Sequence, residues 1–164
     1  MYHPYWMLLN FFIAFITFFI FYQLASAFID RSPSLRQSLL PVLIAAVIAD
    51  ISKICLEAPA PVHTVVLVII CAGMLRLFNP IHWILSLIGS LLTVITAILG
   101  SMMLACPLFL KLGYTIPSNL SGYSWYSWTL LNLLELAAPT LILVILKVSK
   151  FSLLKYLHDY TSKT

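Results

Sequence analysis

Three ionisable side chains stand inside apolar stretches of the sequence, where a charge is costly. Asp50 and Lys53 fall within "IADISKICL", and Glu135 falls within "NLLELAAPT", one helical turn after Asn132. Asp50 and Lys53 are three residues apart and share one face of a helix, so they can pair. Each charge inside a membrane costs about 2.5–3.5 kcal/mol on the insertion scale. Asp50, Lys53, Asn132 and Glu135 are therefore the candidate site.

Three roles are open for this cluster. It is a structural ion pair that locks the second predicted helix to the fifth, a site for a ligand or an ion, or a proton relay. Counting inward at about 1.5 Å per residue puts Asp50 and Glu135 at similar depth, with Lys53 nearer the outer end. Pro139 cannot donate to the carbonyl of Glu135, which predicts a kink at that level.

Composition identifies the surroundings of these charges as a membrane. The chain has 164 residues, of which 62% are hydrophobic and 9% charged, and its mean hydropathy is +1.05. These values exclude an ordinary soluble domain. A bilayer core about 30 Å thick needs roughly 20 apolar residues per helix. The stretches that qualify cover approximately residues 6–28, 39–56, 63–78, 83–105 and 128–146. We expect an all-α, polytopic bundle of about five transmembrane helices over residues 1–150, followed by a short basic cytoplasmic tail over 151–164.

Basic residues predict the orientation, because short cytoplasmic loops retain Lys and Arg. If the N-terminus is outside, only Lys111 lies in an outer link. The inside segments then hold Arg31, Arg36, Arg76, Lys147, Lys150, Lys155 and Lys163. The segment Ala25–Ala27 also fits a signal-peptide cleavage site, but its N-terminal flank lacks Lys and Arg and its apolar run is too long. The sequence therefore predicts a multi-pass protein of a bacterial plasma membrane, N-out and C-in.

The predicted outer link before the last helix is rich in aromatic side chains. Two explanations are open: a lid over the charge cluster, or an aromatic belt at the level of the lipid headgroups. The residues concerned are Tyr114, Tyr123, Trp125, Tyr126 and Trp128.

Small side chains recur along one face of the fourth predicted helix. They are Ser86, Ser90, Thr93, Ala97 and Gly100, at steps of four and three residues. Such a face lets two helix backbones approach closely, and we expect it to pack against another helix.

The sequence predicts neither an enzyme nor a metal or cofactor site. It contains no Gly-rich phosphate loop, HExxH or GxSxG motif. Cys55, Cys71 and Cys106 lack the spacing of metal ligands. His63 and Cys71 would lie about 12 Å apart along a regular helix, too far for a nucleophile and its base. Because the basic residues fit the topology, no nucleic-acid partner is expected.

The layout of five or so spans, the final "NLLELAAP" helix and the short basic exit resemble the N-terminal membrane regions of bacterial sensor histidine kinases of the quorum-sensing and sporulation type. His158, Asp159 and Tyr160 are similar to the start of that family's phosphoacceptor motif, but its Asn and second His are absent. The resemblance implies a sensing module without the kinase domain.

We therefore expect a signal-sensing or interaction module with an outward-facing polar site. Its partners would be the lipid bilayer, a small extracellular ligand, and a cytoplasmic or membrane signalling protein that contacts the tail. Two alternatives stay open: a small transporter component that binds substrate, and a purely structural membrane subunit. A transport path must open to both faces. No ionisable residue is predicted deep in the inner half of a span, which favours the receptor.

Overall fold

The structure is a computed structural model that describes residues 4–56, 60–79, 81–115 and 124–149. Side chains are described for residues 8–49, 64–79, 81–115 and 124–149. Within the described backbone the regular elements are five helices. The helices are α1 (Pro4–Phe28), α2 (Leu35–Leu56), α3 (Ala60–Phe78), α4 (Trp83–Lys111) and α5 (Trp125–Ser149). The predicted all-α class is confirmed.

Helices α1, α4 and α5 are long and apolar enough to cross a membrane, judged by length and composition over the described residues. The described side chains of α2 and α3 include the apolar stretches Leu35–Ala49 and Thr64–Phe78. Large hydrophobic side chains such as Ile69, Leu141 and Val148 cover the outside of the bundle. An apolar surface of this extent marks contact with lipid or protein rather than with water. Three of the five expected helices are thus confirmed as long and apolar enough to span a membrane.

Helix α1 lies at the centre of the bundle. It contacts each of the other four helices, and α2, α3, α4 and α5 follow one another around it. Its side chains Phe18, Phe21 and Tyr22 form the middle of the hydrophobic core. Among the described residues, α2 and α5 pack on α1 rather than extensively on each other. The bundle is therefore organised around one central helix.

Side-chain hydrogen bonds join four helices at one end of the bundle. Asn79 donates to the hydroxyl of Tyr22 at 2.8 Å, which links α3 to α1. The Gln23 amide donates to Ser38 Oγ at 2.8 Å, and Lys147 Nζ donates to Gln23 Oε1 at 3.1 Å. The C-termini of α1, α3 and α5 and the N-terminus of α2 therefore lie together, and successive helices run in alternating directions.

Basic residues collect at this same end. Arg31 and Arg36 flank the start of α2, Arg76 lies in the last turn of α3, and Lys147 lies in the last turn of α5. Of the basic residues whose side chains are described, only Lys111 is at the other end. We call the two ends the basic end and the far end.

Helix α2 begins four residues earlier than predicted. Ser34 and Gln37 form a capping box, in which the Ser34 N–H donates to Gln37 Oε1 at 2.9 Å and the Gln37 N–H donates to Ser34 Oγ at 3.4 Å. This reciprocal pair satisfies two of the free N–H groups at a helix start. Pro41 is fully buried inside the helix. The predicted span 39–56 already contained Pro41, so the difference lies only in where the helix begins.

The small face of α4 packs against neighbouring helices as predicted. Ser86, Ser90 and Thr93 have no exposed surface. A Cβ atom at Gly89 would lie 2.8 Å from the carbonyl oxygen of Ala25 in α1. The α4 backbone therefore approaches α1 too closely for a larger side chain at this point.

Candidate functional site

Glu135 is the single charged side chain in a helix interior, among those that the structure describes. Asp30, Arg31, Arg36, Arg76, Lys111 and Lys147 all lie in links or within the terminal turns of helices. Glu135 is ten residues from the first residue of α5 and fourteen from the last. At about 1.5 Å per residue, it lies about 15 Å from the far end of α5 and about 21 Å from the basic end. Glu135 therefore lies nearer to the far end of α5 than to the basic end.

The Glu135 carboxylate accepts a hydrogen bond from Ser101 of α4. The Ser101 hydroxyl lies 2.9 Å from Glu135 Oε1. A carboxylate has about four lone-pair positions. Within the described part of the chain, Ser101 is its one hydrogen-bond donor, and no Lys, Arg or His forms an ion pair with it. The carboxylate therefore keeps most of its capacity to accept hydrogen bonds.

Ser101 opens a π-helical segment of α4, Ser101–Ala105. A regular helix that buries Thr93 would bury positions near 104 and 108, yet Leu104 is 42% exposed and Leu108 40%. Ala105 and Phe109, one residue later in each case, are fully buried instead. The segment thus inserts one extra residue into the turn. Such π-bulges are frequent at functional sites.

Helix α5 is irregular at the same level. Pro139 has no N–H to donate to the carbonyl of Glu135, so this carbonyl lacks its usual partner in the helix. Gly100 lies directly opposite: a Cβ there would come 2.3 Å from Ala138 Cβ and 3.8 Å from Pro139 Cδ. Two helices in contact therefore both depart from regular hydrogen bonding beside Glu135. At membrane depth such backbone is tolerated where it is buried in protein or lines a cavity.

A cavity of about 400 Å³ lies beside Glu135. All five helices contribute to its wall, which is mostly apolar. The polar lining residues are Thr17, Thr64, Ser101, Asn132 and Glu135. No Lys, Arg or His is among the described residues of the wall. The site thus joins one acid, one amide and three hydroxyl groups in a mostly apolar cavity.

Two of the four predicted site residues line this cavity. Asn132 and Glu135 lie on the same wall, one turn apart on α5. Ala49, which precedes Asp50 in the sequence, is buried and lines the cavity from α2. The side chains of Asp50 and Lys53 lie outside those described, so their pairing with Glu135 stays a prediction. A Lys53–Glu135 pair would have to join α2 and α5 at the cavity, since the described parts of these helices share no extensive interface.

The aromatic residues proposed as a lid fall into different environments. Trp128 lines the cavity on the side nearer the far end. Trp125 and Tyr126 are 60% and 57% exposed, as residues of a headgroup belt would be. Tyr114 stacks on Phe109 with ring centroids 4.9 Å apart. Tyr123 lies outside the described residues.

Ser101 and Thr17 belong to the site but were not selected from the sequence. Ser101 directly follows Gly100, the last member of the small face of α4, and this continuation was its one signal. Thr17 is a single hydroxyl in an aromatic-rich helix, and it donates to the carbonyl of Ile13 at 2.8 Å. Neither residue carries a charge that would single it out. In the described part of the chain no group of three or more His, Cys, Asp or Glu residues could hold a metal ion.

Comparison with known proteins finds no match: no protein-family model, no curated protein and no solved structure resembles the chain closely enough. The tail residues His158, Asp159 and Tyr160, on which part of the resemblance to sensor kinases depends, lie outside the described residues.

Proposed function

We propose that the chain is a five-span protein of a bacterial plasma membrane, N-out and C-in, that senses a small extracellular ligand. In this proposal the ligand occupies the cavity beside Glu135. The observation that carries it is the position of Glu135: a charged side chain in a helix interior, on the wall of a cavity of about 400 Å³. Ionisable residues at such positions are rare and usually functional.

The distribution of charge supports the orientation. Arg31, Arg36, Arg76 and Lys147 lie at the basic end, which is therefore assigned to the cytoplasm. The far end then faces outward, and Asn132 and Trp128 lie between Glu135 and that side. Residues 1–150 form the membrane domain, and the basic tail over 151–164 is available to a signalling partner on the cytoplasmic side.

Packing at the basic end favours a receptor over a transporter. Gln23 and Ser38 are buried and hydrogen-bonded to each other there. Leu24 and Leu75 are fully buried at the same level. Below the cavity, these four side chains thus form a buried layer. A second pocket at this end, lined by Arg76, Asn79 and Trp83, is an open groove that shares no described lining residue with the cavity. A transport path would need an opening through this layer.

Helix α5 connects the cavity to the basic end. It carries Glu135 in the cavity wall and, three turns later, Lys147, which donates to Gln23 of α1. A ligand that moves α5 at Glu135 would therefore strain a contact at the cytoplasmic face. This is the physical basis on which occupancy would be reported to a partner.

Thiol labelling tests the proposed site. In a background in which Cys55, Cys71 and Cys106 are replaced by Ala, a membrane-impermeant thiol reagent added outside should modify Asn132→Cys. Leu133→Cys is the matched control, because Leu133 is the next residue and faces away from the cavity with 53% of its surface exposed. We expect little modification of this control.

Each result of the labelling assigns one function. Modification of Asn132→Cys from outside alone supports the receptor. Modification from both sides would instead support a transporter component. Absence of modification from either side, with the chain folded, would support a purely structural subunit and overturn the proposed site.

A further inference from the structure

We propose that the cavity binds a small amphipathic cation: a protonated amine carried by an apolar body of roughly eight to twenty non-hydrogen atoms, a size suited to cavities of about 300–1,000 Å³. The proposal deepens the proposed function and rests on it, since it assigns the chemical class of the sensed ligand.

The charge of the cavity wall favours a cationic ligand. Among the described lining residues, Glu135 is the one ionisable group and nothing cationic balances it. An isolated carboxylate in a low-dielectric enclosure is costly unless a cation or several hydrogen-bond donors approach it. An ammonium group supplies both a positive charge and three N–H donors. An anionic ligand would meet like charge at the same place.

The hydrogen bonds within the cavity wall also favour a ligand that donates hydrogen bonds. The Ser101 hydroxyl donates to Glu135 at 2.9 Å, and the Thr17 hydroxyl donates to the Ile13 carbonyl at 2.8 Å. The Asn132 amide donates to the Trp128 carbonyl at 2.8 Å. These groups use a proton within the protein and leave oxygen lone pairs for the cavity. A ligand rich in donors therefore fits better than one rich in acceptors.

The other residues that line the cavity favour a ligand whose main part is apolar. Ile13, Phe18, Leu67, Val94 and Leu136 are among the apolar residues that line the cavity. Phe21 and Trp128 add aromatic faces. Aromatic faces attract cations at distances up to about 6 Å, and more strongly when water is excluded. The wall thus combines apolar side chains with one carboxylate. An amphipathic amine is complementary to it, because its body is apolar and its ammonium group is positively charged.

The test compares two molecules that share a shape and differ in charge. The full chain is placed in nanodiscs of phosphatidylcholine, whose neutral surface does not itself concentrate cations. Either 2-phenylethylamine or 2-phenylethanol is titrated at pH 7, and tryptophan fluorescence and thermal unfolding are followed. Trp128 serves as a reporter inside the cavity. This comparison on the unaltered chain needs no variant.

We expect saturable binding of 2-phenylethylamine and binding of 2-phenylethanol about 10- to 100-fold weaker, the range for a lost hydrogen-bonded charge pair. Glu135→Gln should abolish the difference between the two molecules. Leu133→Ala, on the lipid-facing side of the same helix, should preserve it. Ser101→Ala should also preserve the preference for the amine, because it leaves the carboxylate in place.

Several results would overturn the proposal. Equal binding of the amine and the alcohol would show that charge plays no part. Tighter binding of the anion 3-phenylpropionate than of the amine would show that the cavity prefers the opposite charge. Amine binding that appears only in Lys53→Met would assign Glu135 permanently to Lys53. All three results would leave the outward labelling of Asn132→Cys intact, whereas loss of that labelling would remove the proposed function itself.

Discussion

Gly100→Ala is expected to separate α4 from α5. The added Cβ would lie 2.3 Å from Ala138 Cβ, whereas ordinary contacts begin at 3.4 Å. The difference, 3.4 − 2.3 = 1.1 Å, is the movement that the two helices need, because neither atom belongs to a flexible side chain. Ser101 and Glu135 hold a 2.9 Å hydrogen bond one residue and three residues from this contact. The same movement would therefore stretch the bond beyond normal length.

The cost of this movement follows from overpacking. Inserting a methyl group into a filled interface typically costs about 1–3 kcal/mol. Replacing Gly by Ala in a helix interior returns about 0.5–1 kcal/mol through backbone entropy. Gly73→Ala is the matched control, because Gly73 lies within α3 and no atom lies within 4 Å of its added Cβ. In the difference between the two variants the entropy gain cancels. We expect Gly100→Ala to be less stable than Gly73→Ala by about 1–3 kcal/mol.

Free energies of unfolding measured in mixed dodecylmaltoside and SDS micelles by circular dichroism would give this difference. The double variant Gly100→Ala with Ala138→Gly should recover most of the loss, since the nearest remaining atom would be the Cα of residue 138 at 3.7 Å. Equal stability of the two single variants, or strict additivity in the double-mutant cycle, would refute the close contact.

Three further predictions concern topology, the small face of α4 and the predicted charge cluster. Ser162→Cys should resist an impermeant thiol reagent added to intact cells, and its labelling would contradict the C-in orientation. Thr93→Leu should lower the unfolding free energy by about 1–3 kcal/mol, because Thr93 has no exposed surface. Leu91→Ala, on the half-exposed side of α4, should have a smaller effect. Equal losses would show that the small face is not a packing surface. Lys53→Met should reduce folded yield more than Lys53→Met with Glu135→Gln, because an unpaired buried charge costs about 3–5 kcal/mol; additive yields would exclude the pairing.

Hydropathy and the cost of charge carried the sequence predictions that succeeded. The long apolar stretches of α1, α4 and α5 lie where they were expected, because each is hydrophobic over more than the thickness of a bilayer core. Glu135 and Asn132 stood out because polar groups are rare in such stretches, and the structure brings both to one cavity. The small face of α4 was recognised because small side chains recur there at helical spacing, a pattern that hydropathy alone does not reveal.

Other features depend on contacts between helices and have no local signal. The segment Ser101–Ala105 is apolar on every side apart from Ser101, so the sequence pattern does not indicate which face is buried or that the register shifts by one residue. The hydrogen bond from Ser101 to Glu135 joins residues 34 positions apart. Tertiary packing decided each of these outcomes.

The length of α4 links the site to the thickness of the surrounding lipid. Its 29 residues extend about 44 Å at 1.5 Å per residue, well beyond a hydrocarbon core of about 30 Å. Such a helix accommodates the mismatch by tilting or by thickening the bilayer around it. Helix α4 packs closely on α1 at Gly89 and on α5 at Gly100. A change in the tilt of α4 would therefore move it against α5 beside Ser101, which directly follows Gly100. The acyl-chain length of the lipid would therefore change the tilt of α4 and, with it, the geometry of the Ser101–Glu135 hydrogen bond.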